Sequence, residues 1–363
     1  MIGMAQRVIA LLGRRDEPTD AVEEYCRYLG AALQPHGIQL EICRFPWDSC
    51  GWPEALQRLR LESSHWSVTW VLVQYTALAW SARGFPQRIR RVLKVLKAAG
   101  AKVAVVFHDV EPYSGSRAVD VLRRVVQVVT MHWAVQFADF CFFTVPPEKL
   151  SWKPDPDTRV AFVPVGPNLP ISAESQVRRA RDTVPCVGVF SITGGEAGAR
   201  ETRLIVDALR HAAQHVGKLR LSVFGRHAEL RERDLMKGLQ DLPVELSAEG
   251  VLDSSEVVAR LVACDVLFYV RGGISSRRGS AIAGIACGLP VIAFSGSETA
   301  PPITEAGVVL VRPGAPEELN TALLHVLTDL PFRAELARRS RLAYESHFAW
   351  PAIASRFAAV LKR

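Results

Sequence analysis

The sequence predicts an α/β fold made of two Rossmann-like, doubly wound domains. Three observations carry this. At 363 residues, 49% hydrophobic and 22% charged, the chain is long enough for two cores and too apolar to be disordered. Short β-branched and aromatic runs alternate with longer helical patterns throughout, the signature of βαβ units around a buried, mostly parallel sheet. The runs fall into two sets, separated by GPNLPISAESQVRRARDTVP (166–185), a stretch rich in Pro, Ser and charge that suits a linker.

In the first half the strand candidates are RVIALL (7–12), IQLEICRF (38–45), WSVTWVLVQY (66–75), KVAVVFH (102–108), FCFFTV (140–145) and RVAFVPV (159–165). The second half repeats the scheme with CVGVFSI (186–192), LRLSVFG (219–225), PVELSAEG (243–250), DVLFYV (265–270), PVIAF (290–294) and GVVLVR (307–312). The expected domains are therefore 1–170 and 171–345. The chain closes on two helical patterns broken near Trp350-Pro351, where proline ends one helix and suits the first turn of the next.

Composition narrows the function classes. The seven cysteines are scattered from Cys26 to Cys287 without a C-x-x-C pair, which indicates neither a disulfide framework nor a zinc site. No stretch reaches the roughly eighteen apolar residues of a spanning helix, and MIGMAQRVIALLGRR has only about six apolar residues in a row and no small-residue cleavage site, so a cytoplasmic protein is expected. The net charge of +7 is modest for the length, and neither half is a polycation of the kind that binds nucleic acid.

Ligands of doubly wound sheets bind beyond the carboxyl ends of the strands, so chemistry is sought on the strand-to-helix loops. One such loop is GGISSRRGS (272–280), which leads from DVLFYV into a helix of small residues that includes Ala283. Gly273, Ser275, Ser276 and Gly279 make a turn, but a turn needs no fixed charge, and Arg277 and Arg278 supply two. A phosphate at the helix start would account for them, with Ser280 capping the helix or bonding a phosphate oxygen; the alternative is a solvated turn. A second loop, SITGGEAGARETR (191–203), holds Gly194, Gly195 and Gly198 ahead of Arg200. It expects Arg200 in the first helical turn, where a cation opposes the helix dipole unless an anion compensates it. The spacing matches neither the Walker nor the dinucleotide pattern.

In the first half, His108 and Asp109 form a titratable pair at the end of KVAVVFH, or else serve as a packed polar residue and a cap. His211 and His215 have metal-pair spacing without the accompanying glutamate, and Asp155-Pro-Asp157 sits in a proline-rich turn, so no metal is expected. The segment FPQRIRRVLKVLKAAGAK (85–102) is amphipathic and basic, and can either rest on anionic lipid through residues 85–98 or face the core with a solvated charged side.

From about residue 186 onward the sequence resembles glycosyltransferase family 4, through ACDVLFYVR, GIACGLPVIAF, AGVVLVRPGAPEELNTALLHVLTD and HFAWPAIASRFAAVL. The first half is similar only in strand order, VVFHD and VPVGPN (163–168). The resemblance implies the GT-B architecture, two Rossmann-like domains facing a cleft, with 346–363 as a helix returning to the first domain. It implies a nucleoside-diphosphate sugar as donor, no metal or other cofactor, and retained configuration. Arg200 aligns with a diphosphate-binding lysine and His108 with a histidine near the donor sugar. Two glutamates usual in the family are replaced by Ser275 and Ala283, and the arginine partner of the lysine is replaced near Gly194 or Gly195.

These observations lead to the expectation of a sugar transferase acting on a glycan or lipid-linked hydroxyl acceptor in polysaccharide biosynthesis. Its expected catalytic residues are His108 and Arg200, and its donor site is Gly194, Gly195, Arg200, Gly273, Ser275, Ser276, Arg277, Arg278, Gly279 and Ser280. Asp16 and Asp109 are expected near the acceptor. The alternatives are a non-catalytic GT-B scaffold that binds a nucleotide or partner enzyme, and a nucleotide-sugar epimerase.

Overall fold

The computed structural model describes residues 5–17, 19–152, 154, 159–172 and 184–363. It divides into two compact units, Met1–Pro164 with Trp350–Arg363, and Val165–Ala349. The sequence reading had set these breaks near 170 and 346. Each unit contains one six-stranded parallel sheet, and all twelve expected strands are present.

In the first unit, strands β1 (Gln6–Leu12), β2 (Ile38–Arg44), β3 (Trp70–Tyr75), β4 (Lys102–Phe107), β5 (Phe140–Phe143) and β6 (Val160–Phe162) lie in the order β2-β1-β3-β4-β5-β6. The central β3 is buried at every residue, as expected of a strand covered by helices on both faces. Edge strand β2 instead alternates partly toward solvent. The β3 run starts later than its composition suggests, because Ser63–Thr69 closes in turns with Val68 at positive φ. The connecting helices are α1 (Ala21–Leu33), α2 (Trp52–Ser63), α3 (Ile89–Ala98) and α4 (Ala118–Phe137). Three buried tryptophans anchor the carboxyl edge of this sheet: Trp47 donates to the Leu12 carbonyl, Trp80 to Gln74 and Trp152 to Val110, at 2.9, 2.9 and 2.7 Å. Each indole thereby keeps its N–H satisfied while its rings fill the core.

In the second unit, β7 (Cys186–Phe190), β8 (Leu219–Phe224), β9 (Val244–Glu249), β10 (Val266–Gly273), β11 (Val291–Phe294) and β12 (Val308–Val311) lie in the order β12-β11-β10-β7-β8-β9. The helices are α5 (Gly195–Val216), α6 (Ala228–Leu239), α7 (Ser254–Val262), α8 (Gly279–Ala286), α9 (Pro316–Thr328) and α10 (Leu330–Ala343). Asp253 caps α7 in a box with Glu256. After a π-turn at Tyr344–Phe348, helix α11 (Trp350–Leu361) begins with Pro351 in its first turn and joins the first unit. There Trp350 stacks on Tyr28 and Phe357 meets Phe142 with ring centroids 4.1 Å apart.

Candidate functional site

A sheet built outward in both directions leaves a crevice where its strand order reverses. In the second unit the reversal falls between β7 and β10, which pair Val187 with Val266 and Gly188 with Leu267. The loops following these two strands are the two singled out in the sequence, so the topology brings 191–194 and 274–278 to one place.

The loop after β10 is tied down by the loop after β11. Gly273 and Gly296 pack backbone to backbone, and a Cβ on Gly273 would lie 2.8 Å from the Gly296 Cα. The absent side chain at Gly273 therefore serves loop packing. Thr299 Oγ1 donates to the Ile274 carbonyl at 2.6 Å. Glu298, which the sequence reading did not single out, accepts two hydrogen bonds from Arg277, Nη2 to Oε1 at 2.6 Å and Nε to Oε2 at 2.8 Å, and a third from Ser275 Oγ at 2.8 Å. Burial raises the Glu298 pKa, but these hydrogen bonds and the Arg277 and Arg278 charges outweigh it and hold the carboxyl below its ordinary range. Ser275 and Ser276 are buried, and the Ser276 carbonyl accepts from the Val165 amide.

Helix α8 starts at Gly279 with Arg278 at its N-cap and no side-chain cap. Ser280 is consequently inside the first turn, which corrects the expectation that it caps the helix. Gly279 is exposed and Ala283 is buried.

The loop after β7 also departs from expectation. Helix α5 begins at Gly195 with Gly194 at the N-cap, and the acidic residue of its first turn is Glu196. Arg200 falls in the second turn and is exposed, so the conflict with the helix dipole that the sequence suggested does not arise. Gly198 is required for packing, since a Cβ there would collide with the Thr193 carbonyl oxygen. The buried Glu201 reaches back from α5 to accept the Thr193 amide at 2.7 Å.

Both loops meet electrostatically at Tyr269, in β10. Burial raises its phenol pKa, the charges of Arg278, Arg271 and Arg277 lower it, and that of Glu201 raises it. Three guanidinium charges thus act on one hydroxyl. Glu298 engages Arg277, whereas Arg271 and Arg278 have no carboxylate partner among the described residues and each carries a buried Nε without a hydrogen-bond partner. The arrangement is a cluster of positive charge that one carboxylate does not balance, chemically suited to an anion with several acceptor oxygens.

In the first unit, His108 follows β4. Gln74 donates Nε2–H to the Leu72 carbonyl at 3.2 Å and turns Oε1 to His108 Nε2 at 2.8 Å. That network assigns the proton to Nε2 and leaves Nδ1 as an acceptor. The ring also stands edge-on to Tyr25, with centroids 4.9 Å apart. Burial lowers the His108 pKa to about 4, with the Asp20 charge opposing the shift. The imidazole is therefore neutral at pH 7. Because the unfolded chain takes up a proton near pH 6.5 and the native one does not, His108 should cost about 2 kcal/mol of stability between pH 7.5 and pH 5. Urea unfolding of wild type and His108→Asn at those two pH values checks this, and an equal acid loss in both would refute it.

Asp109 accepts the Ala77 amide at 2.9 Å, bridging the loops after β3 and β4. Asp16 is exposed and accepts the Glu17 amide at 3.1 Å. Asp20 caps α1 and pairs with Arg44 at 2.6 Å. No group of three metal-capable side chains occurs among the described residues. His215 turns Nδ1 to the His211 carbonyl at 3.0 Å, and Asp155 and Asp157 lie outside the described residues.

No family model matches the chain, and no curated protein is similar to it in sequence. Solved structures do match its shape. A sucrose-phosphate synthase from Thermosynechococcus elongatus superposes with a TM-score of 0.72 at 16% identity, covering 98% of each chain. A glycosyltransferase from Rickettsia africae gives 0.69 at 12% identity, again over 98% of each. HepE from Anabaena, in complex with UDP and glucose, gives 0.67 at 16% identity over 98% of this chain and 99% of its own. The fold is GT-B. At these identities the likeness establishes the architecture, two α/β units each with a six-stranded parallel sheet.

Proposed function

We propose that this protein is a glycosyltransferase that uses a nucleoside-diphosphate sugar, a divergent relative of glycosyltransferase family 4. The observation that carries the reading is the cluster of Arg271, Arg277 and Arg278, whose charges act together on Tyr269, on β10 and its following loop at the strand-order reversal of the second unit. Arg271 and Arg278 would compensate the diphosphate, and stabilise the nucleoside diphosphate as it leaves, in place of a metal ion. The GT-B fold and the UDP and glucose bound by HepE are consistent with this.

Glu298 favours an enzyme over a silent scaffold. The paired family carboxylates are replaced by Ser275 and Ala283, yet Glu298 brings a carboxylate to Ser275 from the neighbouring loop. Its Oε2 accepts two bonds and its Oε1 one, so Oε1 retains capacity for a ligand hydroxyl. His108, neutral, offers a hydrogen bond rather than a charge. Transfer to a saccharide or lipid-linked hydroxyl, with configuration retained, completes the proposal. Arg200 remains a candidate for the phosphates from the second turn of α5.

A thermal-shift screen of UDP, GDP, ADP and their sugars tests it. A ligand at about 100 times its Kd adds about 2.7 kcal/mol of stability. Arg278→Gln and Arg271→Gln are each expected to weaken the stabilising nucleotide by roughly 10-fold or more, the worth of a hydrogen bond to a charged group. No response to any nucleotide, or an unchanged response in both variants, would refute the donor site.

A further inference from the structure

Helix α4 buries polar residues beside the apolar Met131, Ala134 and Val135. Its buried positions include Asp120, Gln127 and Thr130. Asp120 is held by Arg117 and Arg123, and Gln127 by the Gly84 carbonyl and the Tyr113 amide. Facing solvent are Val121, Leu122, Val125 and Val129, exposed by 50%, 56%, 54% and 51%. At 3.6 residues per turn these four share one face over more than two turns. Among the described residues no other helix exposes more than two large apolar side chains. Isolated exposed valines are ordinary, but a contiguous stripe marks a surface that meets something.

The surroundings say what it meets. Helix α3 packs beside α4, with Arg90 donating to the Val129 carbonyl at 3.1 Å and lying over Trp133, and with Lys97 paired to Asp139 just beyond the end of α4. Lys94, between Arg90 and Lys97 at helical spacing, is on that same side, and both Lys94 and Arg91 are exposed. Helix α3 contains no acidic residue, Arg117 and Arg124 on or beside α4 are exposed, and the one acid of α4, Asp120, is buried and doubly paired. An apolar face flanked on α3 and α4 by exposed charges that are all cations is complementary to a bilayer carrying negative headgroups.

We propose that α4 and α3 together dock on an anionic membrane, with Val121, Leu122, Val125 and Val129 entering the headgroup boundary and Arg91, Lys94 and Arg124 meeting the headgroups. The sequence offered such a contact through residues 85–98, or else a core-facing helix with a solvated charged side. The structure buries that helix's apolar side, Ile89, Val92, Leu93 and Leu96, so α3 supplies charge and α4 the apolar face. The proposal stands independently of the donor site.

Flotation of the full chain with phosphatidylcholine vesicles, with or without phosphatidylglycerol, tests it. The wild type is expected to float with the anionic vesicles at low salt, and to stay down with neutral ones or at high salt. Leu122→Gln/Val125→Gln and, separately, Arg91→Glu/Lys94→Glu are expected to lose flotation with unchanged melting temperature. Failure of the wild type to float, or flotation of the Leu122/Val125 variant equal to wild type, would overturn the proposal. So would a wild-type dimer in sedimentation that the same variant dissociates without any vesicle binding, since a second copy would then cover the stripe.

Discussion

Replacing Glu298 with alanine is expected to destabilise the second unit by about 3–5 kcal/mol, the cost of removing one partner of a buried ion pair and leaving the other charge uncompensated. The side chains of Arg277 and Glu298 are only 17% and 12% exposed, so water cannot take over the role of the carboxylate. For a unit of this size one kcal/mol moves Tm by about 2–4 °C, and a fall of roughly 10 °C should be seen in a thermal melt. The companion Glu298→Ala/Arg277→Ala is expected to lose less than Glu298→Ala alone, because the stranded guanidinium is gone. If the double variant is worse than the single one, the pair is not the reason for the loss. The pH dependence has a definite sign. The Glu298 carboxyl titrates below its ordinary value in the folded state, so its contribution is complete above about pH 4.5 and is lost as pH falls through the lowered folded value.

Much of the fold was legible because parallel strands buried on both faces must be continuous apolar runs, and those runs are visible in a linear sequence. The differences sit at ends, where local hydrogen bonding decides. Residues 66–69 have strand composition but close in turns, and β10 runs on to Gly273 through a register shift. The site was legible in part. Arg277, Arg278 and His108 were visible as charged or titratable groups at the ends of apolar runs. Glu298 was not, because its meaning depends on a loop more than twenty residues away in sequence and nothing in SGSET announces the partner. Arg271 and Gln74 carried a signal that could have been used. A charge that directly follows the buried apolar run VLFYV, and an amide within the otherwise apolar WVLVQY, must each find a polar partner or a ligand. Arg200 and Ser280 were misplaced by a few residues, because two glycine-rich loops left the helix starts unmarked by a capping side chain.

Phe357→Ala is expected to cost the first unit about 3–5 kcal/mol, as for other fully buried aromatic truncations. Phe357 has no exposed surface, and the helix that carries it is further held by Trp350 against Tyr25 and Tyr28 and by Gln6 donating to the Leu361 carbonyl at 2.7 Å. The effect can be assigned to one unit by its reporter. All eight tryptophans, at 47, 52, 66, 70, 80, 133, 152 and 350, belong to the first unit, so intrinsic fluorescence follows that unit alone, whereas far-ultraviolet circular dichroism follows both. In urea, Phe357→Ala should move the fluorescence transition to lower denaturant. Glu298→Ala should leave that transition in place and move the dichroism signal of the second unit. If either variant shifts both signals together by the same amount, the two units unfold as one cooperative body, and each substitution then measures the stability of the whole chain. A fluorescence transition unmoved by Phe357→Ala would instead show that α11 does not complete the first unit.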